Sequence, residues 1–318
     1  MGPDRAEMPR RLIANIERVI TGKRSIVEAS VVCLLAEGNL LIEGVPGVGK
    51  TMLARSIARS IHGTFNRVQA TPDLLPSDVT GVSVYDQDRH EFRFMPGPLF
   101  ANVVLVDEIN RATPRTQSAL LEPMEERQVT VEGVTHPLPT PFFLVATENP
   151  AEHHGIYPLP EGQLDRFTMA LHVGYPEGDE AREVVSRQLR RHPIEDLEPV
   201  LSAEEIVGLQ EAVRTVHVAP AIVEYAVALG EATRDHRDVA LGASPRASLA
   251  MTHCAQAMAL VRGRDYALPD DLKGLAPQIL SHRLMLRTQG GSTALRARGV
   301  VEEVLEQVPV PLGVEAPV

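Results

Sequence analysis

Short, uninterrupted apolar runs separated by stretches of helical spacing dominate the first half of the chain. Leu40–Ile42, Val103–Val106 and Phe142–Ala146 are apolar at every position. Strands of this kind belong in a parallel sheet covered on both faces; a sheet with one wet face would alternate instead. Between the first two runs Leu53, Ile57 and Ile61 recur at helical spacing, and Gly63 follows as a C-terminal cap. From about Asn15 to Gly174 the pattern therefore opens strand, helix, strand.

Past Tyr175-Pro176 the strand-like runs give way to helix signals. Ser202 with Glu205 makes a capping box, followed by Ile206, Leu209, Val213 and Val216 on one face. A further helix starts near Pro220 with Ile222, Ala226 and Leu229 inward, and Ser244 before Pro245 reads as N-cap plus first helical position. The expected organisation is an α/β unit over residues 1–175, and an all-helical unit over 176–318 with Met251 and Met258 in its core. At 318 residues, two units are more natural than one core. Val308–Val318, rich in Pro and Val without periodicity, reads as a frayed tail.

Charge and cysteine content narrow the function classes. A formal charge of -11 argues against a binder that works by displacing counterions from nucleic acid. No apolar run approaches a membrane span and the first ten residues carry no export or lipid signal, so a cytoplasmic protein without membrane insertion is expected. Cys33 and Cys254 sit in apolar, helix-like stretches and read as buried free thiols.

The chemistry begins at Gly44-Val45-Pro46-Gly47-Val48-Gly49-Lys50-Thr51, which satisfies G-x-x-x-x-G-K-[ST] between a strand and a helix, with Met52 next in that helix. Glycines let backbone N–H groups turn inward around phosphate oxygens, the helix N-terminus adds partial positive charge, and Lys50 reaches the outer phosphates. Thr51 is placed to hold Mg²⁺ through its hydroxyl. Lys50 is one of only three lysines in an arginine-rich chain, which fits a position where a planar guanidinium is too large. The second apolar strand ends in Asp107-Glu108, at the strand end where parallel sheets bind ligands. Asp107 is expected to support the Mg²⁺ shell and Glu108 to polarise the attacking water. A solvated acidic pair is the plainer alternative.

Asn149, after the third strand, is the candidate to orient that water, although Asn before Pro150 also starts turns. Arg166 lies just beyond the core and suits a finger acting on a neighbour's γ-phosphate, with Arg111 and Arg115 as rivals and a local salt bridge as the alternative. Arg246 sits in a first helical turn, where a cation opposes the helix dipole and needs a partner; a bound phosphate would supply it. His153-His154 lacks further ligands at metal spacing, which disfavours a metal there.

The blocks Gly44–Thr51, Val106–Arg111, Gln117–Leu121, Ala146–Pro150, Tyr157–Glu161 and Leu164–Phe167, with Gly242–Arg246 and His282–Leu284 beyond, together resemble the MoxR family of AAA+ ATPases from about Asn15 to Arg287. Gly162 and Pro123 depart from the usual pattern at positions that affect helix geometry more than chemistry. The resemblance implies an αβα sandwich with a parallel five-stranded core sheet and a helical lid. It also implies β-hairpins inserted between Gly81 and Phe94 and around Val129–Pro137, facing a pore or partner, or packing over the sheet. It further implies ATP and Mg²⁺ as ligands, a homo-oligomeric ring, most simply a hexamer, a von Willebrand A (VWA) domain partner, and remodelling, maturation or cofactor insertion of a client protein. A nucleotide-gated subunit like the magnesium-chelatase ATPase is the alternative, and an MCM-like DNA motor a more distant one.

Overall fold

The computed structural model describes residues 3–45, 47–149, 156–175, 178, 180–182, 186, 193–287 and 293–311. Strands of the first half are β1 (Leu40–Glu43), β2 (Phe65–Gln69), β3 (Gly81–Asp86), β4 (Glu91–Pro96), β5 (Val103–Asp107), β6 (Gln128–Val131), β7 (Val134–Pro137), β8 (Phe143–Glu148) and β9 (Met169–His172). Five of them pair in parallel in the order β2-β5-β8-β1-β9. The three apolar runs form the centre of this sheet. The edge strands β2 and β9 are less completely covered and accordingly carry polar residues, which hid them from the apolar pattern.

Period-two alternation divides the sheet between two cores. Leu40, Ile42, Val103, Leu105, Phe143 and Val145 face one, together with Leu53 and Ile57 of the helix Lys50–Ser60. Leu41, Val104, Val106, Leu144 and Ala146 face the other, against Ile109, Leu120, Met124 and Phe167. The first core does not stop at the sheet. It runs through the helix Arg24–Leu35 to Leu209, Met251, Met258 and Ile279, so the C-terminal helices share buried surface with the nucleotide-binding part. Cys33 and Cys254 are buried free thiols in this same core, and burial pushes the Cys254 thiol up to about 12.

Local chemistry accounts for the helix boundaries. Ser202 Oγ accepts from Glu205 N at 3.2 Å while Glu205 Oε2 accepts from Ser202 N at 2.7 Å, the reciprocal box that starts the helix Ala203–Thr215. Ser244 caps the helix Pro245–Val261. At the end of Lys50–Ser60 the left-handed residue is His62, φ 49°, not Gly63. Gly63 is instead the next residue of a Schellman turn, donating to Ala58 O at 3.0 Å. Pro123 falls in the first turn of Leu121–Glu126, where its missing N–H has no intrahelical partner to lose.

Two antiparallel hairpins, β3–β4 and β6–β7, project from the sandwich. The second turns through Glu132 and Gly133, both at positive φ, the two-residue turn whose twist matches its strands. Among the described residues the C-terminal part is mainly helical, but β10 (Val239–Leu241) and β11 (Met285–Leu286) form a small antiparallel ribbon. Segments of three and two residues are too short to leave a periodic signal.

One buried cation ties the two parts together. Arg283, its side chain 3% exposed, donates through Nε to Asp165 Oδ1 at 2.9 Å and through Nη2 to Phe167 O at 2.7 Å. Ser244 Oγ donates to the other Asp165 oxygen at 2.8 Å, and His282 Nε2 contacts Phe167 O at 3.0 Å. Truncating one partner of a buried pair strands the other charge, so Arg283→Met is expected to destabilise the fold by about 3–5 kcal/mol. Equilibrium urea unfolding checks this; a loss below about 1 kcal/mol, the level of an exposed ion pair, would show that the guanidinium is not the tie.

Candidate nucleotide site

The turn from β1 into the helix Lys50–Ser60 needs glycine for conformation, not for room. Gly47 and Gly49 have φ of 84° and 93°, while a Cβ on either would meet nothing within 4 Å. Gly44 is different, since a Cβ there would lie 2.5 Å from Val173 O. Val45 and Val48 complete the described turn, and Pro46 lies outside the described residues. Lys50 Nζ donates to Gly44 O and, at 3.1 Å, to Glu148 O, so the ammonium is parked on strand-end carbonyls.

A cleft of about 370 Å³ opens over this turn. Gly47, Gly49, Lys50, Thr51 and Met52 line one side, and Arg67, Gln69, Asp107, Glu108 and Asn149 the other. The predicted phosphate residues, both acids and the asparagine thus meet at one place. Their supports are specific. Thr147 Oγ1 donates to Asp107 Oδ1 at 2.5 Å and accepts from Glu108 N at 2.9 Å, so one hydroxyl from β8 orients both acids. Glu108 adopts a left-handed conformation, φ 57°, which ends β5 and turns the chain into Ile109–Arg111. Its Oε2 accepts from Gln69 Nε2 and from Arg111 Nη1, each at 2.9 Å.

Arg67, Gln69 and Thr147 were not assigned roles by the sequence pattern. The signal for the first two lay in period two: once β2 is recognised, positions 67 and 69 share a face beside Leu105 and Asp107 of β5. The oxygen donors Thr51 and Asp107 suit Mg²⁺, which takes hydroxyl, carboxylate and water oxygens. Among the described residues no cluster of three or more His, Cys, Asp or Glu has metal-holding geometry, and His153-His154 lies outside them.

Beside the cleft, Glu43 and Glu148 are opposite each other at the ends of β1 and β8, with His172 opposite Glu43 on β9. Burial, then the Glu43 charge, pushes Glu148 up to about 7 against the pull of Lys50. Burial likewise raises Glu43, and His172 opposes that rise.

The remaining predicted arginines are elsewhere. Arg246 Nη2 lies 2.6 Å, and Arg166 Nε 3.1 Å, from the same oxygen, Glu125 Oε1; neither arginine lines the cleft. The cation of Arg246 is met here by a carboxylate, because the helix Leu121–Glu126 ends beside the first turn of Pro245–Val261. Arg111 is engaged with Glu108 of its own chain, and Arg115 is exposed.

A glycine turn, a lysine, a strand-end acid pair and a polar residue on the next strand, under a helical C-terminal part, define an AAA+ ATPase. Residues 39–169 match the model of the ATPase family associated with various cellular activities (AAA), and residues 231–306 match the AAA lid domain. The Bacillus subtilis protein YeaC, itself uncharacterised, is 51% identical over 95% of this chain and 94% of its own length. Chaperone MoxR1 of Mycobacterium tuberculosis is 44% identical over 95% of this chain and 82% of its own. A crystal structure of a Cytophaga hutchinsonii protein proposed to be an ATPase superposes with a TM-score of 0.87 at 34% identity, covering 97% of this chain and 96% of that one. The chain belongs to the MoxR family of AAA+ ATPases. Among the described residues, no helix is long and apolar enough to cross a membrane.

The raised Glu148 has a consequence for stability. Its folded value, about 7, lies above the unfolded 4.5, so the native state binds more protons between these values. That stabilising contribution is whole below pH 4.5 and lost as pH rises through about 7. Glu148→Gln removes the dependence. Between pH 5 and 8 the unmodified protein is expected to lose on the order of 2–3 kcal/mol relative to the variant, read from urea midpoints at each pH. Parallel curves would contradict it.

Proposed function

We propose that this chain hydrolyses Mg-ATP within a ring of its own copies, a hexamer on the family's pattern, and uses the cycle to remodel a client protein. The observation that carries this reading is a division of charge. Lys50, Thr51, Asp107, Glu108 and Asn149 surround one cleft, whereas Arg166 and Arg246 share Glu125 away from it. Of the cations at the cleft, Arg67 and Arg111 are engaged with Asp107 and Glu108, so in this reading the arginine that meets the γ-phosphate comes from another protomer. In this reading the part up to residue 175 binds nucleotide and the part from 176 is the lid. Thr51 and Asp107 would hold Mg²⁺, which would supply compensation for the charge that develops on the phosphate. Glu108 polarises the attacking water, Asn149 orients it, and Arg166 with Arg246 reaches the neighbour's γ-phosphate.

The likeness to a relative named a chaperone supports the remodelling role. The family analogy adds a VWA-domain partner, a cytoplasmic setting, and maturation or cofactor insertion of the client. Nucleic acid is not expected as a partner at a net charge of -11. One feature favours a gated cycle, like that of a nucleotide-dependent assembly subunit. Glu108 is held by Gln69 and Arg111, so the base must be released before it can act on water.

Glu108→Gln is expected to retain ATP while turnover falls roughly 10²- to 10⁴-fold. Arg166→Ala is expected to lose about 10³-fold. Mixing Arg166→Ala with Lys50→Ala should recover part of the activity, because each Lys50→Ala copy offers an intact arginine to a neighbour's intact cleft. Steady-state phosphate release reads all three. Full activity in Glu108→Gln would remove the assigned base, and no recovery on mixing would remove the arrangement in trans.

A further inference from the structure

Asp107, the carboxylate that the reading above assigns to the metal, is already holding a cation from its own chain. Arg67 reaches from the edge strand β2 and places Nη2 at 2.6 Å and Nε at 3.2 Å from the same oxygen, Asp107 Oδ2. The other oxygen, Oδ1, is taken by the Thr147 hydroxyl. Both N–H groups come from one guanidinium fork and cover one side of Oδ2, so a hydrated cation reaching that side must compete with them. The Arg67 side chain is 48% exposed and that of Asp107 11%, so the arginine has solvent to move into while the carboxylate stays fixed.

We propose that Arg67 is an internal competitor of Mg²⁺ at Asp107, neutralising that carboxylate in the metal-free cleft and yielding it when the metal arrives with nucleotide. The inference rests on the assignment of Asp107 to metal support and goes beyond it, because Arg67 also connects the metal position to the proposed base. Its Nη2 donates to Gln69 Oε1 at 2.8 Å, and Gln69 Nε2 donates in turn to Glu108 Oε2 at 2.9 Å. Without the guanidinium on its carbonyl, the Gln69 amide is positioned by the Glu108 contact alone. Departure of Arg67 from Asp107 thereby loosens the hold on Glu108, and metal loading becomes coupled to release of the base.

The coupling makes a binding prediction that needs no turnover. Without metal, Arg67 shields an incoming diphosphate from Asp107; with metal, it must be displaced. Arg67→Gln should therefore weaken ADP binding in EDTA and tighten it in Mg²⁺, so that the ratio of the two dissociation constants rises roughly three- to tenfold, the scale of a partly exposed charge-assisted pair. Arg67→Lys, which keeps the charge without the fork, should fall between.

Titration calorimetry with ADP, in EDTA and across a Mg²⁺ series, measures the ratio for each protein. A ratio unchanged or lowered in Arg67→Gln, or an Arg67→Lys value indistinguishable from that of the glutamine variant, overturns the proposal. Asp107→Asn separates the two layers. It should collapse the Mg²⁺ dependence, and if it leaves that dependence intact, the assignment of Asp107 itself fails whatever the arginine variants do.

Discussion

A parallel sheet delivers all its strand ends to one edge, and in this protein four of the residues delivered there are carboxylates. Glu43 ends β1, Asp107 and Glu108 lie at the end of β5, and Glu148 ends β8. Such a concentration of negative charge, at the very edge where phosphate is to bind, is unfavourable unless cations are drawn in. Three are: Lys50 beside Glu148, Arg67 on Asp107 and Arg111 on Glu108. Glu148 is nonetheless pushed up to about 7, by burial first and then by the Glu43 charge, against the pull of Lys50. The cleft is thus held together by internal pairs.

A second set of contacts fixes the turn that carries Arg166. Asp165, one residue earlier, is gripped by Arg283 and Ser244, and the carbonyl of Phe167, one residue later, by Arg283 and His282. Both gripping segments belong to the C-terminal part. Burial and the neighbouring Arg283 charge press His282 down to about 3, which keeps it neutral beside that cation. Displacement of the helical part therefore carries the Arg166 turn with it, because a buried network of this kind breaks at high cost and otherwise moves as a unit. Arg246 travels in the same body, two residues from the Ser244 contact.

How far the sequence showed all this follows from what each residue depends on. The apolar runs exposed the three central strands because burial on both faces permits no other composition, and the glycine-lysine turn was legible because its function restricts backbone conformation at named positions. Edge strands β2 and β9 lacked that signature, and with β2 went Arg67 and Gln69, whose relevance is visible only when the register sets them beside Asp107. Arg246 was identified as a cation needing a partner, which is a local argument and held locally. Its partner was not legible, since Glu125 lies 121 positions earlier and meets it only through the packing of a short helix against the C-terminal part. His282 and Arg283 stood out as a conspicuous block without an assignable role, for the same reason of distance.

Glu125 then bears on how Arg166 and Arg246 are held. A single carboxylate oxygen serves two guanidinium groups, so the cluster retains a net positive charge on side chains that are 22% and 50% exposed for Arg166 and Arg246. Within the chain that charge has no further use at the cleft, since neither arginine lines it. Holding a partly buried fork and an exposed one on a single carboxylate oxygen is costly on its own account, and planar guanidinium groups are suited to phosphate oxygens in pairs. Local stability alone does not account for the arrangement, and the proposed action on a neighbouring copy's phosphate would give both guanidinium groups an anion to meet.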